Sequence, residues 1–193
     1  LDGCRIGFDL GGSDRKAAAV IDGEVKFSEE IEWDPYFQPD PDYHYEGIVD
    51  SLRRAVEHLP CVDAIGGSAA GCYSHNRVTW ASLFRGVSPE LFEEKVRGMF
   101  LRVSEEFGAP LEVINDGEVT ALAGSMALGQ NGVLGIAMGT SQGGGYIDME
   151  GNITTWLSEL AFAPVDLHPE APADEWSSDL GVGAQYFSQQ AVG

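Results

Sequence analysis

The chain has 193 residues, 44% of them hydrophobic, which is enough for one large or two small domains with a buried core. Acidic residues number 31 against 11 basic ones, and the formal net charge is −20 at pH 7. Because nucleic-acid binding draws on Lys and Arg side chains that neutralise phosphates, the composition argues against a DNA or RNA partner. No apolar run approaches the roughly 20 residues of a membrane-spanning helix, so we expect no membrane partner either.

A glycine turn near the start of the chain is the first candidate site. Residues 5–27 predict three strands, and Asp9 ends the first of them. Glycine permits positive φ and lets phosphate oxygens approach backbone N–H groups. Asp9 is placed to hold a hydrated Mg²⁺, which usually takes one or two carboxylates and the phosphates themselves. An ordinary hairpin turn is the alternative. The candidate phosphate-binding residues are Asp9, Gly11, Gly12, Ser13 and Lys16.

Loops, helices and strands alternate through the middle of the chain. Residues 29–45 hold three prolines and several acids and aromatic residues, which predicts a loop or lid. Apolar positions predict an amphipathic helix over 48–59. Residues 64–65 predict a strand that runs into the small-residue turn 66–71. Helical periodicity covers 89–107, between an N-cap at Ser88 and a stop at Gly108.

Asn115 and Asp116 are the second candidate site. They follow a predicted buried strand over 111–114 and precede an Ala- and Leu-rich helix over 118–128 that ends at Gly129. In open α/β sheets, ligands bind beyond the carboxyl ends of strands. A carboxylate placed there can accept the proton of a substrate hydroxyl as it attacks a phosphate. The alternative is an Asn-Asp-Gly turn that caps the helix.

The first hairpin has a near copy 128 residues later. Residues 6–13 align with residues 134–141, and the alignment continues without a gap to Gly23 and Gly151. Such a repeat predicts a duplicated unit of a strand, a tight glycine turn, a second strand and an acid-Gly hairpin into a third strand. We expect the two glycine loops to face each other and to hold a nucleotide's phosphates. The second loop supplies the candidates Gly139, Thr140, Ser141, Gly143 and Gly144.

The last residues read as loop and then a short helix. Residues 163–178 are rich in Pro and acids, and a helix can start within 180–192. Strands alternating with helices predict an α/β fold. If the second half mirrors the first, we expect about a hundred further residues beyond Gly193.

Three cysteines make neither a disulfide framework nor a metal-binding spacing. Buried free thiols are the simplest interpretation of Cys4, Cys61 and Cys72. They fit a reducing cytoplasm.

The motifs together resemble the ROK family of sugar kinases and sugar-responsive repressors, which belongs to the actin-like ATPase superfamily. The resemblance lies in Asp9–Lys16, in Val113–Asp116 and in Met138–Gly145, and it covers essentially the whole chain. It implies a two-lobed fold that binds ATP and Mg²⁺ at the glycine loops. It also implies that Asp116 is the general base. The sugar-binding residues implied by the resemblance are Ser68, Gly71, Ser82, Asn115, Asp116 and Glu159.

The chain departs from the ROK pattern at two places. ROK kinases follow the second loop with Glu-x-Gly-His and a cysteine cluster that binds zinc, whereas this chain has Glu159 but places Phe162 at the histidine position. Residues 179–186 lack the expected cysteines. Structural zinc needs four ligands, so we expect no zinc. Residues 80–86 resemble the family's sugar-contacting loop, with Ser82 in place of its asparagine.

The leading hypothesis is an ATP-dependent kinase for a hexose or amino sugar, with a homodimer as the expected assembly. A sugar-binding regulator of the same fold that has lost turnover is the alternative. A DNA-binding repressor ranks third. The resemblance places an N-terminal lobe with the sugar-binding loops at 1–129 and the start of a C-terminal lobe at 130–193.

Overall fold

The computed structural model describes residues 2–139, 142–154, 159–175, 177–188 and 191. Contacts between residues divide the chain into two units, Leu1–Ile114 and Asn115–Gly193. The helix that follows Asn115 therefore groups with the later hairpin. The division into lobes after Gly129 stays a prediction.

A five-stranded mixed sheet forms the centre of the first unit. Its strands are β1 (Cys4–Leu10), β2 (Asp14–Ile21), β3 (Glu24–Glu32), β4 (Ala64–Ala69) and β7 (Leu111–Asn115), in the order β3-β2-β1-β4-β7. The β1–β2 and β2–β3 pairs are antiparallel, and β1 pairs with β4 in parallel. Alternate residues of β1 are buried, as expected for a strand with one face on the core. The three strands predicted over 5–27 are confirmed, and the third extends further.

Strand β4 continues through residues that the sequence predicted as a turn. Gly67 pairs with Phe8 of β1, and a Cβ at Gly67 would overlap the Phe8 ring. The Phe8 ring stacks on Phe100, with ring centroids 6.0 Å apart. The small residues therefore make room for an aromatic core residue within a strand, and the turn begins only after Ala69.

The predicted loop over 29–45 is shorter in the structure. Strand β3 runs to Glu32, and helix α1 spans Pro41–Val56. Asp40 caps α1 by accepting a hydrogen bond from the Asp42 N–H, and Pro41 occupies the first turn. The prediction that the helix begins at residue 48 was wrong, because Asp40 and Pro41 are the residues that start it. Only residues 33–40 form the connection.

Two further hairpin and helix elements complete the first unit. Strands β5 (Cys72–Ser74) and β6 (Arg77–Trp80) form a small hairpin, and a 3₁₀ turn follows at Ser82–Phe84. Residues 89–107 are helical but interrupted: α2 (Pro89–Leu91) passes into a π-helical turn (Phe92–Val96) before α3 (Met99–Phe107). Ser88 and Gly108 cap these helices as predicted. The core packs α1 and α3 against the sheet through residues such as Ile6, Leu52, Phe100 and Val103.

The second unit consists of a helix packed on a two-stranded sheet. Helix α4 (Asp116–Leu128) contacts β8 (Val133–Met138) and β9 (Gln142–Ile147), which pair antiparallel. Gly129 ends α4 in the left-handed conformation, as predicted. A third strand of the repeat is represented in the described residues by a single bridge between Ile147 and Ile153.

The final segment contains little regular structure. A 3₁₀ turn at Leu160–Phe162 and a short helix, α5 (Ala184–Phe187), are its helical parts, so the helix predicted within 180–192 is limited to four described residues. None of the helices in the described ranges has the length and apolar character of a membrane-spanning segment.

Candidate functional site

The first glycine loop places an acidic pair beside a lysine. Asp9 and Lys16 face each other across the β1–β2 ladder, with the ammonium 3.9 Å from the carboxylate. Lys16 also donates a hydrogen bond to Asp14, which lowers the pKa of the Asp14 carboxyl and raises the pKa of Lys16. The predicted phosphate-binding lysine is therefore already paired, and a phosphate would compete with Asp14 for it.

The Asp9 carboxylate fits a hydrated Mg²⁺. The Asp9 side chain is 41% exposed. A Mg²⁺ ion beside it could therefore keep its bound waters, while one carboxylate oxygen contacts the ion or one of those waters. A single protein carboxylate is sufficient for such a site, because nucleotide phosphates and waters normally supply the other Mg²⁺ ligands. The role of Asp9 stays a prediction.

The turn after β1 uses part of its own hydrogen-bonding capacity. The Gly11 N–H donates to Asp14 O at 2.9 Å, and the Ser13 hydroxyl donates to the Asp14 carboxylate at 3.0 Å. Trp33 donates from its ring nitrogen to Gly11 O at 2.8 Å. The hydrogen bond between Gly11 and Asp14 thus closes the turn, and the Trp33 side chain holds the turn through Gly11 O.

Tyr36 covers Gly12 in this loop. A Cβ at Gly12 would lie 2.5 Å from the Cζ atom of Tyr36, so a larger residue there would require the Tyr36 side chain to move. The Arg85 guanidinium lies over the Tyr36 ring, 4.1 Å from its centroid. Trp33 and Tyr36 of segment 33–40 therefore pack on the glycine loop. Tyr36 falls in the predicted loop or lid over 29–45, and Arg85 falls in the segment 80–86 that resembles a sugar-contacting loop. Their proximity to Gly12 was not predicted, because it arises only in the folded unit.

The structure relates one predicted sugar-binding residue directly to this loop. Ser68 is buried and stands opposite Asp9 in the β1–β4 register. Gly71 is also buried, with φ +126°, and a Cβ there would lie 2.5 Å from Trp80 O. Ser82 opens the 3₁₀ turn at Ser82–Phe84 and is half-buried.

The second unit brings three predicted sugar-site residues together at the start of α4. The Asn115 side chain accepts a hydrogen bond from the Gly117 N–H at 2.8 Å and donates to the Glu159 carboxylate at 3.0 Å. Asp116 occupies the first position of the helix. The capping interpretation of Asn115 is therefore confirmed. The same side chain also orients Glu159, so capping and substrate binding are compatible roles.

Glu118 completes this helix start. Its carboxylate accepts a hydrogen bond from the Asn115 N–H at 3.3 Å and closes a reciprocal capping box. Burial raises the pKa of the Glu118 carboxyl above its ordinary value. The sequence signal for this box was present in the three-residue spacing from Asn115 to Glu118.

Glycines of β9 lie against Asp116. A Cβ at Gly143 would lie 3.2 Å from Asp116 Oδ1 and 3.8 Å from Asn115 Oδ1. Gly144 is buried against Gly117. Gly143 therefore adjoins the predicted base, and Gly144 adjoins the next residue of the helix. Gly139 is half-buried with no described atom within 4 Å of its Cβ position, whereas Thr140 and Ser141 lie outside the described residues.

Phe162 has an apolar role at the position where the ROK pattern has histidine. It packs against a small buried cluster formed by Ala161, Val182 and Ala184. Pro164 and Val182 also form a β-bridge. Apolar contact and backbone pairing therefore join this turn to residues 182–184, the region of the family's cysteine cluster. The absence of zinc stays a prediction.

Solved structures with the same fold were identified by structural comparison. The chain matches a ROK family transcriptional regulator, a homolog of the E. coli MLC protein, at 17% identity and a TM-score of 0.76 over 98% of this chain and 48% of that one. It matches a ROK hexokinase from Thermus thermophilus at 19% identity and a TM-score of 0.70 over 98% of this chain and 61% of the other.

A third match is an inorganic polyphosphate/ATP-glucomannokinase from Arthrobacter sp. strain KM, at 23% identity and a TM-score of 0.66 over 86% of this chain and 66% of that one. The chain thus spans about half to two thirds of the length of these structures. No protein-family model and no curated protein sequence matches it. The chain has the mixed α/β fold of ROK proteins, an actin-like ATPase fold, as the resemblance of its motifs implied.

Proposed function

We propose that the chain acts in the ATP-dependent phosphorylation of a hexose or amino sugar. The observation that carries this proposal is the cluster of Asn115, Asp116 and Glu159 at the start of α4, where one hydrogen bond orients Glu159 and glycine backbone adjoins Asp116. Two of the solved structures with this fold are named as sugar kinases. ATP with its Mg²⁺ would supply the phosphoryl group.

In this proposal Asp116 accepts the proton of the sugar hydroxyl as its oxygen attacks the phosphorus. Glu159 and the Asn115 amide bind other hydroxyl groups of the sugar and fix its orientation. Phosphoryl transfer requires mainly positioning and charge stabilisation, so a single carboxylate base beside the bound hydroxyl is sufficient protein chemistry. Asp9 would bind the hydrated metal, and the first glycine loop would contact phosphate.

The test is ATP consumption over a panel of hexoses and N-acetylhexosamines. We expect Asp116→Asn to lower kcat by about 10²–10⁴-fold while nucleotide binding changes little, because the substitution removes the proton acceptor and keeps size and polarity. Asp179→Asn, an exposed carboxylate of the same unit, is the matched control and should retain activity. If the Asp116→Asn variant kept nearly full turnover, Asp116 would not be the general base.

A sugar-binding regulator without turnover is the second candidate function. Phe162 at the family's histidine position favours it, and one matched structure is named as a transcriptional regulator. This candidate predicts that the native protein binds a sugar, measured by calorimetry, and consumes no ATP with any sugar of the panel. Sugar-dependent ATP consumption would exclude it.

A further inference from the structure

Two cysteines and a carboxylate meet at the start of β1, in a region that the proposed function does not use. The sulfur atoms of Cys4 and Cys61 and a carboxylate oxygen of Asp63 lie within 4.8 Å of one another. Cys4 is buried and Cys61 is exposed. The expectation of buried thiols is therefore confirmed for Cys4 and wrong for Cys61, while Cys72 is only half-buried. Cys72 lies apart from this cluster, in β5.

The backbone around the two thiols is held firmly. Asp63 donates its N–H to Cys4 O at 2.8 Å and accepts the Cys4 N–H on its carboxylate at 2.7 Å. The parallel β1–β4 ladder begins at the next residues, Arg5 and Ala64. These contacts hold Cys4 beside Asp63, two positions after Cys61, and the two sulfur atoms lie within 4.8 Å of each other in the folded unit.

We propose that Cys4 and Cys61 form a reversible redox pair that becomes an intramolecular disulfide on reaction with a low-molecular-weight disulfide such as oxidised glutathione. The accessible Cys61 thiolate attacks one sulfur of the oxidant, whose S–S bond breaks and releases one thiolate that takes up the proton. Cys4 then attacks the Cys61 sulfur, and the second small thiol leaves. Two electrons pass from the protein thiols to the oxidant, which yields two reduced small thiols.

The groups around Cys61 affect how fast its thiol reacts with an oxidant. A hydrogen bond with the Cys4 thiol and the nearby Asp63 carboxylate raise the pKa of the Cys61 thiol. Because the thiolate is the reacting form, the raised pKa slows the attack of Cys61 on the oxidant near neutral pH. The disulfide would close a loop between residues 4 and 61 and tie the start of β1 to the segment before β4.

The experiment exposes the native chain to oxidised glutathione, blocks the remaining thiols with iodoacetamide and maps disulfides after trypsin digestion. We expect a cross-link between the peptide that ends at Arg5 and the peptide 55–77. We also expect the Tm to rise by about 5 °C, since cross-linking restricts the unfolded chain. Dithiothreitol should reverse both changes.

Peptide 55–77 contains Cys61 and Cys72, so variants assign the bond. Cys72→Ser is the matched control and should cross-link like the native chain. Cys4→Ser should retain a glutathione adduct on Cys61 and show neither the cross-link nor the Tm rise. A native chain that accumulates the Cys61 adduct while Cys4 is alkylated would overturn the proposal, as would a cross-link that persists in Cys61→Ser. Zinc that binds one per chain and blocks oxidation would also overturn it and indicate a metal site.

Discussion

His44 shows how a single buried side chain organises the surroundings of the first glycine loop. Its Nε2 lies 3.0 Å from both Pro35 O and Leu83 O, so it connects segment 33–40 to the 3₁₀ turn that contains Ser82. The ring is fully buried and packs 4.8 Å from the Phe84 ring. Its Nδ1 has no hydrogen-bond partner among the described residues. Since both acceptors are carbonyls, we assign the proton of the neutral ring to Nε2.

We predict that His44 makes the first unit less stable at acid pH. Burial lowers the pKa of His44 below its ordinary value of 6.5, so the unfolded chain binds this proton first as the pH falls. The stability from the neutral ring is therefore present above about pH 6.5 and is lost as the pH decreases through the folded-state pKa. Urea unfolding between pH 7.5 and 5.5 measures this loss.

His44→Gln is the variant that tests this pH dependence. The glutamine amide can still donate to the carbonyls but does not titrate, so we expect a flatter pH profile than that of the native chain. His58→Gln is the control, because His58 is an exposed ring that stacks on Phe27. A His44→Gln profile as steep as the native one would assign the acid sensitivity to other groups.

At the scale of elements, close backbone contact joins α4 to the β8–β9 hairpin. A Cβ at Gly117 would lie 2.5 Å from Gly144 N, and one at Gly145 would lie 2.5 Å from Glu118 Cα. A Cβ at Gly135 would likewise lie 2.5 Å from Ala121 Cα. The glycines of the second hairpin therefore serve helix packing as well as the predicted phosphate loop. This packing places Asp116 beside Gly143.

We predict that Gly117→Ala destabilises the second unit by about 1–3 kcal/mol, because the added methyl group must displace strand backbone. Gly124→Ala in the same helix is the matched control. Its Cβ would lie 3.5 Å from a Val133 methyl, an ordinary contact, so higher helix propensity should make it neutral or stabilising by up to about 1 kcal/mol. Urea unfolding followed by circular dichroism, with hydrogen exchange of α4 amides, measures both. Equal effects of the two variants would contradict the close-packing argument.

At the scale of the whole molecule, the chain has a net charge of −20 but also exposes an apolar surface on one strand. Strand β8 exposes Leu134, Ile136 and Met138, by 64%, 46% and 67%, on the face opposite the one that holds Gly135 against α4. Alternate residues of a strand point to opposite faces, so these three side chains form a continuous row. Exposed apolar rows of this kind favour association. The predicted homodimer remains a prediction.

We predict that the 193-residue chain self-associates through this row at micromolar concentrations. Replacing Leu134 and Ile136 together by Ser should shift sedimentation velocity profiles towards monomer by removing apolar area that association would bury. Leu167→Ser is the control, because Leu167 is 87% exposed but lies outside β8. Association that is unchanged in the double variant, or equally reduced by Leu167→Ser, would assign the contact to another surface.

The sequence by itself determined the features that depend on neighbouring residues. Strands β1 and β2 follow from the apolar segments on either side of the glycine turn. Local capping chemistry starts a helix after Ser88 and ends helices at Gly108 and Gly129. The ordered ROK motifs were also sufficient to indicate the fold. The cap at Asp40 was equally local, but the prolines beside it were interpreted as loop.

Only the tertiary structure decided which distant residues meet. Gly67 belongs to a strand because the Phe8 ring occupies the space above it, and Tyr36 covers Gly12 because α1 begins at Pro41 and shortens the connection. Cys4 and Cys61 are 57 positions apart in the sequence and become neighbours through the β1–β4 ladder. These contacts follow from packing and strand register across many residues, whereas sequence periodicity reports only which face of an element is apolar.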